Sequence, residues 1–178
     1  AESEEPLWTY HSSGNFHDVD LSFDGSLIAA ATGCPDRRAY IFSRESRDPL
    51  IRTEMLTRDS PVDEAVISDD GQFAAFGSES DRGGVHFFKT DSKSERPLWQ
   101  FPMPNNKSVR ALSMTPSGQY IGAASFGGDV YIFSRDSKDP LYHFSIRERL
   151  GAVDIADNGS FIIAGGSNKG INLWEMAK

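Results

Sequence analysis

Side chains capable of chemistry are thinly spread along this chain. The four histidines, His11, His17, His86 and His143, lack metal-ligand spacing, and the single cysteine, Cys34, has no second thiol for a zinc site or an internal disulfide. No Gly-x-Ser-x-Gly elbow and no phosphate-cradling glycine loop occurs. His86 and His143 stand in strand-like stretches, where packed or solvated histidine accounts for them. Cys34 reads as a structural residue in a turn rather than a reactive thiol. The expectation is a protein without catalytic residues, metal or cofactor.

The elements that would position any site repeat along the chain. A Pro-Leu pair recurs at Pro6, Pro49, Pro97 and Pro140, at intervals of 43, 48 and 43 residues, and each pair opens an apolar stretch such as Leu-Trp-Thr-Tyr or Leu-Tyr-His-Phe. Each unit also carries a turn glycine: Gly25, Gly71, Gly118 or Gly159. Four, six and nine residues before it stand Leu21, Val19 and Phe16, then Ile67, Ala65 and Val62, then Met114, Leu112 and Val109, then Ile155, Val153 and Leu150. The step of two predicts a strand with one buried side, and the step of three predicts a bulge where it starts. The second strands (Leu27 to Ala31, Phe73 to Phe76, Tyr120 to Ala124, Phe161 to Ala164) are almost wholly apolar, which predicts burial on both faces. The third strands end on Phe42, Phe88, Phe133 and Trp174. The Gly-Gly pairs at 83–84, 127–128 and 165–166 are expected in hairpin turns. No helical periodicity of useful length appears. The units are 6–48, 49–96, 97–139 and 140–178, after an acidic lead at 1–5 expected to be disordered.

This pattern resembles the WD-repeat β-propeller family. Val109-Arg-Ala-Leu-Ser-Met-Thr-Pro-Ser-Gly118 and Gly166-Ser-Asn-Lys-Gly-Ile-Asn-Leu-Trp174 carry the likeness best, and the Val130-Tyr-Ile-Phe and Pro97-Leu-Trp segments are similar to quinoprotein-type propeller repeats. The likeness spans Pro6 to Trp174. It implies an all-β propeller of four four-stranded blades. The family's Gly-His pair is missing, and Phe42-Ser43, Phe88-Lys89, Phe133-Ser134 and Trp174-Glu175 stand where Trp-Asp is usual, so its hydrogen-bonded network is not carried over.

The repeats are out of phase with the blades. The chain opens on a fourth strand (Leu7, Trp8, Tyr10) and closes on a third (Ile171, Leu173, Trp174). Pairing the orphan with the bare edge removes two liabilities. Done within one chain, this gives a four-bladed ring. Done between two copies, it gives an eight-bladed ring with closed symmetry. The two-copy ring is favoured, and a fragment of a longer array is the other alternative.

Two charged groupings follow from this layout. The starts of the first strands, His17-Asp18, Asp63-Glu64, Arg110-Ala111 and Gly151-Ala152, should line a central channel, as solvated carboxylates beside Arg110 in preference to a cation site. The loops at that end carry Arg37, Arg38, Arg58, Arg82, Lys107, Arg147, Arg149 and Lys169, interspersed with acids. The resemblance implies that such a face binds partners. A net charge of −8 argues against a general nucleic-acid or anionic-membrane binder. No apolar run is long enough to cross a bilayer. The expected function is a non-catalytic propeller scaffold that binds itself as a homodimer and binds a protein or peptide through the loop face. A purely structural, engineered or truncated self-assembling propeller is the alternative, and a propeller enzyme or cofactor binder ranks below both.

Overall fold

The computed structural model describes residues 4–79, 83–104, 107–167 and 169–176. Among them the chain forms four antiparallel sheets, each a simple meander. The first holds β1 (Phe16–Leu21), β2 (Leu27–Thr32), β3 (Ala39–Ser43) and β4 (Ser46–Arg52). The second holds β5 (Val62–Ile67), β6 (Phe73–Ser78), β7 (Gly84–Lys89) and β8 (Trp99–Pro102). The third holds β9 (Val109–Met114), β10 (Tyr120–Ser125), β11 (Asp129–Ser134) and β12 (Tyr142–Ser145). The last has three strands, β13 (Leu150–Ile155), β14 (Phe161–Gly166) and β15 (Ile171–Glu175). The arrangement is compatible with a propeller-like fold.

The spacing before each turn glycine has a direct physical counterpart. The β1–β2, β5–β6, β9–β10 and β13–β14 ladders all break register at the start of the first strand, between Phe16 and Asp18, Val62 and Glu64, Val109 and Ala111, and Leu150 and Ala152. The extra residue turns the strand so that its step of three becomes a step of two. The turns that follow are built alike. Gly25, Gly71, Gly118 and Gly159 adopt φ of 65° to 69°, a conformation open to glycine at no Cβ cost. Before each of the first three, a hydroxyl closes the turn: Ser22, Ser68 and Thr115 accept the N–H of Leu27, Phe73 and Tyr120 at 3.0 Å. Ser22 also donates to Asp24, whose carboxyl is held down at about 2 by hydrogen bonds, first from the Ser26 backbone, then from the Ser26 and Ser22 hydroxyls. Neighbouring turns are tied by Phe23 N–H to Asp69 C=O at 3.0 Å and Asp69 N–H to Pro116 C=O at 2.8 Å. Pro116 has no N–H with which to extend the chain of bonds to the last sheet.

Each sheet packs on the next, first strand against first strand: β1 on β5, β5 on β9, β9 on β13. Three apolar clusters fill the junctions, and a smaller one lies on the outer side of the first sheet. Among the described residues β13 makes no comparable packing on β1. One chain is therefore an open stack with two ends.

Four expectations are corrected. Leu7, Trp8 and Tyr10 form no strand and do not pair with Ile171, Leu173 or Trp174 of the same chain; Trp8 and Tyr10 lie on the first sheet, at the far end from β15. β4 begins at Ser46, ahead of Pro49, which an outer strand accommodates because its N–H side is unpaired. Gly165-Gly166 ends β14 instead of forming a turn. The small-residue strands β2, β6 and β10 are buried on both faces over most of their length, but β14 is not, because among the described residues no sheet covers its second face. Most of the acidic lead, residues 1–3, lies outside the described residues.

Candidate functional site

The strand order brings the segments before each first strand and the second-to-third-strand loops, in which the foreseen cations stand, to one end of the stack. Several are consumed locally. Arg37 donates to Pro35 C=O at 3.2 Å and to Met55 Sδ at 3.3 Å. Arg38 is largely buried, donates to Thr53 C=O and stands 3.6 Å from Asp36. Lys107 pairs with Asp129 at 2.9 Å. Arg58, Arg147, Arg149 and Lys169 are exposed. Arg82 lies outside the described residues. Composition did not single out Phe126, whose half-exposed ring is held between two guanidinium groups, Arg149 at 4.7 Å and Arg110 at 5.4 Å.

The first-strand starts meet as expected, with their charges matched across sheets. His17 Nδ1 lies 2.6 Å from Asp63, and Arg110 reaches Asp63 at 3.3 Å and Glu79 at 2.7 Å. Asp18 accepts the Ala65 N–H at 2.9 Å, and Asp20 accepts the Ile67 N–H at 2.8 Å, so β1 carboxylates take up donors of the next sheet's first strand. Among the described residues no group of three histidines, cysteines or carboxylates is placed to hold a metal.

Among the described residues Glu64 has no such partner, and only the Arg110 charge offsets its acidic neighbours. Burial, then the Asp18 and Asp63 carboxylates, push its carboxyl up from 4.5 to about 7. A raised acid pKa means the folded chain holds the proton more tightly than the unfolded one. The stability this contributes is complete below pH 4.5 and is lost as pH rises through 7. Glu64→Gln removes the loss. The variant gains about 1 kcal/mol over the parent at pH 8, after allowance for partial exposure, and gains nothing at pH 4. Urea unfolding at the two pH values measures it; parallel profiles for parent and variant would contradict this account.

A cleft of about 400 Å³ opens at the outer edge of the second sheet between Glu54, Leu56, Arg96 and Trp99. Buried His86 lines it, hydrogen-bonded through Nε2 to Ser78 Oγ at 3.0 Å, and burial lowers its pKa to about 4, so the ring is neutral. Arg96 and Glu54 pair across the opening at 3.2 Å.

The largest unsatisfied features are the two ends. On the first sheet Val19 is 61% and Leu21 59% exposed, whereas their counterparts Ala65 and Ile67 are 2% and 6% exposed. On the last sheet Ile171 is 77% and Leu173 65% exposed, whereas Val130 and Ile132 at the same places in the third sheet are fully buried. The leading segment covers only the outer half of the first end, in a revealing way. Trp8 Nε1 donates to Arg44 C=O at 2.7 Å, with its ring 5.6 Å from Phe42. Trp99, in the outer strand of the second sheet, donates to Arg135 C=O at 2.9 Å, with its ring 5.5 Å from Phe133 of the third. Phe144, in the outer strand of the third sheet, stacks on Trp174 of the last at 4.9 Å. Trp8 thus sits on the first sheet as the outer strand of a preceding sheet would.

No protein-family model matches the chain, and no curated protein matches it.

Proposed function

We propose that this chain is a non-catalytic, WD-repeat-like propeller scaffold, four blades long, that closes into an eight-bladed ring with a second copy and presents its loop face to a protein or peptide. The observation that carries this reading is the placement of Trp8. It repeats the Trp99 contact, although among the described residues no inner strands accompany it. The last sheet has three such strands and, among the described residues, no outer one. Each end supplies what the other needs, and two reciprocal contacts would cover the exposed faces at both ends. Arg149 with Phe126, together with Arg58, Arg147 and Lys169, would then appear twice around the axis on one face. Exposed loops held by a rigid frame suit recognition.

Light scattering on a gel-filtration column tests the reading. The expected mass is twice the 19.6 kDa of one chain. Deleting Pro6 to Tyr10 is expected to return a folded species at the single-chain mass. A parent protein that runs at the single-chain mass at high concentration would remove the proposal.

A further inference from the structure

Resting on the ring reading, we infer that the two ends are matched by a knob and a hole: Phe16 of one copy seats against Gly165 and Ala152 of the other. Val62, Val109 and Leu150 occupy the position of Phe16 in the other three sheets, and each is buried against the preceding sheet. Their counterpart across the junction is the penultimate residue of the preceding sheet's second strand. Val62 clusters with Ala31, Val109 with the backbone of Gly77, and Leu150 with Ala124. The Val109 contact is tight, for a Cβ added to Gly77 would stand 2.6 Å from Val109 Cγ1 and 3.1 Å from Glu64 Cβ. A valine therefore already fills a site of that kind, and a phenylalanine there would be overpacked.

Phe16 is the largest residue at this position, and among the described residues no sheet packs against it from that side. The corresponding place in the last sheet is the emptiest. A Cβ added to Gly165 would meet nothing nearer than 3.6 Å, and one added to Gly151 would meet nothing within 4 Å. A hollow of about 460 Å³ runs from there along Ala152 and Gly166 to Phe126. Where other sheets place His17-Asp18, Asp63-Glu64 or Arg110-Ala111, this one has Gly151-Ala152. The bulkiest knob and the barest floor thus lie at opposite ends of the same chain, on the faces that the Trp8 contact would bring together. The occupant is a second copy. The size match selects this junction over misassembly onto any of the filled ones.

Gly165→Val fills the hole, and Phe16→Val trims the knob. With dimer dissociation constants from analytical ultracentrifugation, Gly165→Val is expected to weaken the dimer about a hundredfold, because two junctions are overpacked at once. Its circular dichroism and melting of the dissociated chain should match the parent's, since the new side chain faces solvent there. The double variant Phe16→Val with Gly165→Ala recreates the Val62–Ala31 pairing and is expected to restore most of the affinity. A dimeric parent whose Gly165→Val variant associates equally well would overturn the knob and leave the ring standing. A parent that never associates would remove both.

Discussion

Asp36→Ala is expected to lower the unfolding free energy by about 3 kcal/mol or more, the scale for breaking a buried charged network. The carboxylate is 2% exposed, and five groups converge on it. Tyr40 OH donates to it at 2.6 Å, Thr32 Oγ1 at 2.9 Å and Ser13 Oγ at 3.2 Å, while Arg38 and Arg52 each place a guanidinium nitrogen 3.6 Å away. Burial, then the bond to Asp36, raise the Tyr40 hydroxyl well above its ordinary value, so it stays a donor throughout the working range. Alanine would leave a buried phenol and a buried hydroxyl without their acceptor and would take the nearest negative charge from the Arg38 guanidinium. Asp36→Asn keeps one carbonyl oxygen and should lose clearly less. Equilibrium unfolding in urea separates the two variants. A loss below about 1 kcal/mol for alanine would mean that water replaces the carboxylate, as happens at exposed sites.

Asp36 also shows where sequence reasoning ends. In the chain it is one aspartate among several in the loops, and nothing in Cys-Pro-Asp-Arg-Arg separates a hub from a solvated charge. Its role depends on Thr32 and Tyr40 pointing the same way across a hairpin, a three-dimensional fact. What does recur was legible. Apolar residues four, six and nine before each glycine became four bulged first strands, because a repeated local shape needs a repeated local pattern. Which loop cations are paired was not legible: Arg38 and Lys107 are taken up by Asp36 and Asp129. Leu7 to Tyr10 looks like a strand because it copies the outer-strand composition. A strand also needs an edge to pair with, and in one chain that edge lies at the far end of the stack.

Trp99→Ala is expected to cost about 3–5 kcal/mol, the range for truncating a large aromatic in a packed junction. The ring stacks on Phe87 of its own sheet at 4.9 Å and reaches Phe133 of the next at 5.5 Å. Its indole N–H donates to Arg135 C=O, a bond worth about 1 kcal/mol of the total. The loss unfastens the second sheet from the third, so the unfolding transition should also broaden, as expected when stacked units lose their coupling. The matching change at the leading end, Trp8→Ala, removes the same indole-to-carbonyl bond and the ring contact with Phe42. In the dissociated chain Trp8 belongs to an isolated segment beside Leu7, which is 83% exposed, and about 1–2 kcal/mol is the expected loss. In the proposed ring Trp8 would gain the three strands that Trp99 already has. The difference between the two tryptophans should then appear as weakened association. Equal losses for the two variants, measured below the dissociation constant, would mean that the leading segment fastens to its own first sheet alone and takes no part in joining copies.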